Sequence, residues 1–130
     1  MVLPFEEEYR KKYYKLLDEV FESNFWSDGK MTRTFEEKFE EYTGLYSCAV
    51  TSGGAGLLSI FEYIGVKGYD VIVPANTFWA TTQSAKMAGA NIIYADCNKE
   101  DLCLSYEDVL KKVTKKTKAI VVVHIGGHIA

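Results

Sequence analysis

The chain has no concentration of basic residues. Fifteen Lys and Arg stand against 18 Asp and Glu, for a formal net charge of −3. Nucleic acid selects for a basic face or stripe, so it is not an expected partner. No apolar run approaches the roughly 20 residues that span a bilayer. The N-terminus, Met1-Val2-Leu3-Pro4-Phe5-Glu6-Glu7-Glu8, is acidic where a signal peptide carries positive charge. Neither a membrane nor an export route is expected. Cys48, Cys97 and Cys103 are an odd number without metal-ligand spacing, which reads as reduced thiols in a cytoplasmic protein. The remaining composition is ordinary: 130 residues, 48% hydrophobic and 25% charged. That allows one modest domain with a real core and excludes disorder.

Helical spacing opens the chain. Phe5, Tyr9, Tyr13, Leu16, Leu17, Val20 and Phe21 recur three and four residues apart, with Glu and Lys between them, predicting a helix from Phe5 to Phe25. Ser23 to Arg33 reads as a loop around the turn signal Asp28-Gly29. A second helix is expected to open with Thr34 and Glu37 as a capping box, to carry Phe35, Phe39 and Tyr42 as its apolar stripe, and to end at Gly44. Residues 1–45 thus form a helical portion, and 46–130 a run of αβ units.

Ser47 to Thr51 reads as a short strand that breaks at Ser52. The small residues Gly53, Gly54, Ala55 and Gly56 follow, and then a helix that stops near Gly65. A strand that empties through a glycine turn into a helix N-terminus presents unpaired N–H groups and the positive end of a dipole, suited to a phosphate. The same glycines also serve tight turns and close packing in proteins without a ligand. Asp70–Pro74 is expected as a buried strand, Thr77–Met87 as a helix ending at Gly89, and Asn91–Asp96 as a third strand. Ser105 and Asp108 cap a further helix with Val109, Leu110 and Val113 on its apolar face, followed by a Lys-rich solvated end over 111–118. Lys118–His124 is the most apolar strand. Alternating strands and helices predict a parallel, three-layer α/β sheet of four strands. Ser52–Gly56, Pro74–Trp79, Asp96 and His124–His128 then fall on the rim at the strands' C-terminal ends.

Several site chemistries can be tested against these residues. Gly54 and Gly56 match two glycines of a dinucleotide fingerprint, but Ser59 stands at the third, and no acidic residue ends the second strand at Val73-Pro74. No Gly-Lys-Ser/Thr follows the glycines, so a Walker loop is absent. His124 and His128 are separated by Ile125-Gly126-Gly127 and lack a third ligand, so no metal is expected. His124 reads instead as a polar strand-end residue on the rim. Phe78 and Trp79 either pack on the sheet or project a ring over the rim to stack a flat ligand.

Taken in order, Phe35-Glu36 to Gly44, Ser52-Gly53-Gly54-Ala55-Gly56-Leu57, Val71-Ile72-Val73-Pro74-Ala75-Asn76-Thr77-Phe78, Ala88-Gly89-Ala90 leading to Asp96, and Val123-His124-Ile125-Gly126-Gly127-His128 resemble the N-terminal portion of the DegT/DnrJ/EryC1/StrS aminotransferases. The resemblance covers essentially the whole chain. It implies part of the fold-type I large domain and an enzyme that uses pyridoxal phosphate to move an amino group, from glutamate, onto a nucleotide-linked keto-sugar. It also implies a homo-oligomer, a homodimer in the family. Gly53, Gly54 and Ala55 inherit the cofactor-phosphate role, and Phe78 inherits the ring-stacking role. Gly54 departs from the family, which usually has a Thr there; a charge-assisted hydrogen bond lost at that place costs roughly 1.5–3 kcal/mol.

The family's ring-pairing Asp and its cofactor-holding Lys both fall beyond the equivalent of Ala130, and none of the lysines here matches the Lys motif. No catalytic residue is therefore assigned, and the chain reads as a fragment that is inactive alone. The most apolar strand also stops short of a neighbour on each edge. In the family order the strand at 47–51 is separated from the other three, so it is expected to pair differently, or two chains to complete each other's edges. The competing expectations are a non-catalytic interaction module, a gene remnant, or one half of a split enzyme completed by a complementary chain.

Overall fold

The three-and-four spacing between Tyr9 and Phe21 produces helix α1, Glu7–Ser23. Glu7 and Glu8 lie in its first turn, where the dipole favours negative charge. The computed structural model describes residues 6–130, so Phe5, the first position of the expected stripe, lies outside the described residues. Asn24 ends α1 in the left-handed region (φ 53°), its N–H donating to the Phe21 carbonyl.

Helix α2, Lys30–Thr43, begins four residues before the expected capping box. Gly29, in extended conformation, is its N-cap, and the Arg33 N–H donates to the Gly29 carbonyl at 3.3 Å. Thr34 and Glu37 are thus interior positions and cap nothing. Gly44 closes α2 as expected, with φ 73° and its N–H on the Glu40 carbonyl at 2.7 Å. The aromatic stripe of α2 is exposed rather than buried: Phe35 57%, Phe39 47%, Tyr42 86%.

Among the described residues the expected strand at Ser47–Thr51 does not form, and the sheet has three strands and not four. A strand exists only through its ladder. Here the Ala49 N–H is taken by the Glu36 carboxylate at 2.7 Å instead of a neighbouring backbone. The chain folds as two compact units, Met1–Ala49 and Val50–Ala130.

In the second unit, α3 (Gly53–Ile64) leads into β1 (Asp70–Pro74), α4 (Trp79–Met87), β2 (Asn91–Ala95), α5 (Tyr106–Lys112) and β3 (Thr117–Ile120). All strand pairs are parallel, in the order β2-β1-β3, with Val71 opposite Ile92 and Ala119. The central strand is the continuous apolar run, as a two-faced buried strand requires. Val71, Ile72, Val73 and Pro74 are fully buried. The period of two sends Val71 and Val73 to one face, where Leu57, Leu58, Phe61 and Ala85 of α3 and α4, and Ala88 just after α4, join them. Ile72 goes to the other face, with Ala95, Val109 and Leu104. The Ser105 hydroxyl accepts from the Asp108 N–H at 3.4 Å and caps α5.

The most apolar run makes the shortest strand. Of 118–124, only Lys118–Ile120 belong to β3, which is an edge, and Ile120 (44%) and Val122 (53%) are exposed. The Val121 N–H still reaches the Ile72 carbonyl at 2.9 Å. Beyond it β1 ends at Pro74, which has no N–H to extend the ladder.

Candidate functional site

Ser52 is the N-cap of α3. Its hydroxyl accepts from the Ala55 N–H at 3.1 Å, and its carbonyl accepts from the Gly56 N–H at 3.0 Å. Among the described residues, the N–H groups of Gly53 and Gly54 have no hydrogen-bond partner. They point out of the first turn at the positive end of a 12-residue helix. Gly53 and Gly54 are therefore free donors, whereas the Ala55 N–H is already engaged by Ser52.

Phe78 is the N-cap of α4, in extended conformation (φ −66°, ψ 138°). The cap position lifts its ring clear of the sheet, and both Phe78 and Trp79 are 68% exposed. Their rings lie 5.5 Å apart, tilted by 52°. Of the two alternatives for this pair, the projecting one is observed. The start of α4 is held by the Thr77 hydroxyl donating to Thr81 Oγ1 at 2.9 Å, with Thr81 buried.

These two ends meet in one cleft of ≈ 740 Å³, lined by Ser52, Gly53, Gly54 and Ala55 on one side and by Phe78 and Trp79 on the other. None of the described residues lining it is ionisable. Two features mark how closely its two sides approach. Ser84 of α4 donates its hydroxyl to the Gly54 carbonyl at 2.9 Å, and a Cβ on Gly54 would lie 3.4 Å from the Ala80 Cβ. Gly54 thus permits close approach of the two helices, while a Cβ on Gly53 would meet nothing within 4 Å.

The other rim residues do not join this cleft. The Asp96 N–H donates to the Asp108 carboxylate at 2.7 Å, and its own carboxylate accepts from the Cys97 N–H at 2.8 Å, closing the turn after β2. Asp108 also pairs with Lys112. The Asp96 N–H first, and then the Lys112 ammonium, hold the Asp108 carboxyl below its ordinary value. His124 is not a strand end on the rim. It precedes a single 3-10 turn at Ile125–Gly127, and its Nδ1 accepts from the Ala130 N–H at 3.0 Å. Among the described residues no three His, Cys, Asp or Glu side chains gather as metal ligands. No helix there is long and apolar enough to cross a membrane.

Ser84 escaped the sequence reading, because a serine inside a helix carries no local signal of what it faces. The available clue is that Ala80 and Ser84, both small, stand four apart and so share one face of α4.

A parallel sheet whose one face carries a helix N-terminus with free donors and a ring at the start of the next helix is part of a fold-type I pyridoxal-phosphate enzyme domain. The chain belongs to the DegT/DnrJ/EryC1/StrS aminotransferase family, whose sequence pattern matches residues 7–130. It is 36% identical over 104 residues to GDP-perosamine synthase of Escherichia coli O157:H7, an alignment covering 78% of this chain and 29% of that protein. The solved 3-amino-5-hydroxybenzoic acid synthase superposes with a TM-score of 0.85 at 30% identity, covering all of this chain and 34% of the other. NtdA of Bacillus subtilis, solved with its cofactor PMP bound, superposes with a TM-score of 0.86 at 27% identity, covering 95% of this chain and 29% of its own. The chain thus spans about a third or less of the proteins it matches.

Proposed function

We propose that this chain supplies the phosphate-binding and ring-stacking part of a pyridoxal-phosphate-dependent aminotransferase that acts on a nucleotide-linked keto-sugar. The observation that carries the reading is the single cleft shared by the free Gly53 and Gly54 N–H groups and the exposed Phe78 ring. Two unpaired donors at a helix N-terminus suit a dianionic phosphate. A projecting ring suits a flat pyridine, and the ≈ 740 Å³ cleft has room for the cofactor. Ala55 contributes by donating its N–H to the Ser52 hydroxyl, which holds the turn, rather than to the phosphate.

When bound, the cofactor supplies the electron sink that lets an amino group move between carbon skeletons. The residues of this chain bind and orient it: Gly53 and Gly54 at the phosphate, Phe78 at the ring face. The cleft lining has no ionisable side chain to move a proton, so in this reading the base comes from outside that lining. A homo-oligomer or a complementary chain completes the cup, and the three free cysteines accord with a cytoplasmic enzyme.

The test is titration of the 130-residue chain with pyridoxamine phosphate, followed by cofactor fluorescence; the amine form avoids aldehyde adducts with surface lysines. Saturable binding is expected, weakened about tenfold in Phe78→Ala, equivalent to ~1.4 kcal/mol. A cooperatively folded chain that shows no saturable binding, or a Phe78→Ala variant with unchanged affinity, refutes the reading.

A further inference from the structure

We propose that Ser84 is a positioning residue that sets the anion-binding turn of α3 in register with the Phe78 ring; the inference rests on the cofactor reading above. Ser84 is only 5% exposed. A buried hydroxyl needs a partner, and this one spends its hydrogen on a carbonyl 30 residues away, in the very turn that carries the free N–H groups. Among the described residues this is the one side-chain hydrogen bond that joins α3 to α4.

Its leverage follows from where its two ends sit. On α3, the Gly54 carbonyl belongs to the residue whose N–H is a free donor. On α4, Ser84 stands six residues after Phe78 on a helix whose first turn is locked by Thr77 and Thr81. The other packing between the two helices, where Leu57, Leu58 and Phe61 join Ala85 and the Gly54 backbone passes near the Ala80 methyl, is apolar, and dispersion has no directional preference. A hydrogen bond weakens steeply as its angle departs from linearity. The Ser84 bond therefore selects one sliding position out of those that packing alone allows. A ligand that must touch donors on one helix and a ring on the other is sensitive to that choice. A ligand that touches only one of them is not.

The prediction is a coupling. Ser84→Ala is expected to weaken pyridoxamine phosphate about tenfold, while inorganic phosphate, measured by competition, and dephosphorylated pyridoxamine each change less than about twofold. In the Phe78→Ala background, Ser84→Ala is expected to add less than about twofold, because no ring remains to be registered. Ser84→Cys keeps the shape and a weak donor and is expected to fall between serine and alanine; it also stands in if the alanine variant does not fold. Thermal melts of each variant accompany the titrations, since a purely structural role lowers Tm without this ligand-dependent pattern. Wild-type binding that Phe78→Ala weakens, with Ser84→Ala and Ser84→Cys both at wild-type affinity, overturns the inference and leaves the cofactor reading standing. So does an equal loss for pyridoxamine phosphate and for inorganic phosphate. Absence of any saturable wild-type binding overturns both.

Discussion

Ile72→Ala tests whether the second face of β1 is a closed core. Ile72 is fully buried and packs with Ala95, Val109, Ile93 and Leu104, on the face opposite Val71 and Val73. The substitution removes three carbons, worth about 2.4 kcal/mol in transfer at about 0.8 kcal/mol each. Its neighbours are anchored in β2, in α5 and in the segment leading into α5, so the site collapses only partly and the residual cavity adds roughly another 1 kcal/mol. The expected loss is about 3 kcal/mol. Against a total of about 5–15 kcal/mol for a domain, that is a large share. For a cooperative unit of this size it corresponds to a Tm lower by about 12–24 °C.

Urea unfolding followed by far-UV circular dichroism measures it, with Ile60→Ala as the control. Ile60 is equally hydrophobic in sequence but 56% exposed on α3, and its truncation is expected to cost less than about 0.5 kcal/mol. An Ile72→Ala loss below about 1 kcal/mol, or equal losses for the two variants, would refute the two-faced core and with it the placement of α5 over β1.

Gly89 sits at φ 83°, and a Cβ there would lie 3.0 Å from Lys67 Cγ and 3.4 Å from Lys67 Cβ. Gly89→Ala is expected to cost about 1–2 kcal/mol from the left-handed backbone alone; an unchanged Tm would show that the turn before β2 relaxes freely. Asp108 makes the acid limb of stability testable. Its folded value is lowered, so the stability it contributes is present above the unfolded value of about 3.9 and is lost as pH falls through the lower folded value. Asp108→Asn should therefore flatten the fall of Tm below about pH 4; parallel Tm–pH curves for the two proteins would remove Asp108 from the account.

Where local chemistry determined local structure, the sequence was legible to the residue. Asp70–Pro74 is a strand because the unbroken apolar run Val71-Ile72-Val73-Pro74 has to be buried on both faces. Ser52, Gly65 and Ser105 mark the helix ends that their side chains or backbone freedom allow. Most of the failures are non-local. Ser47–Thr51 has strand character, but strand formation is decided by a partner, and none pairs with it. Lys118–His124 reads as central because it is apolar, yet its place at the edge is decided by the order β2-β1-β3. Gly29 displaces the Thr34 capping box because an extended glycine ahead of Lys30 lets the helix begin a turn earlier. Of the candidate site, Gly53, Gly54, Ala55 and Phe78 were legible as a set only through the ordered family motifs. The engagement of the Ala55 N–H and the reach of Ser84 to Gly54 are tertiary facts that no spacing encodes.

The location of the site follows from the pleat of β1. Val71 and Val73 face one way and Ile72 the other, so α3 and α4 are seated on one surface of the sheet and α5 on the opposite one. Both halves of the cleft therefore ride on helices that share a floor, with no sheet residue between them. A phosphate in this cleft would be held by neutral donors and by a helix end worth about half a positive charge, with no cation among the lining residues. Neutral donors do not titrate, so binding by this chain should vary with pH only as the ligand's own phosphate and amine do. The chemistry of amino transfer, by contrast, requires a group that gains and loses a proton near neutrality. In the proposed reading, then, binding and proton transfer fall to different residues, and the cleft lining, which has no ionisable side chain, is the part that can be measured without turnover.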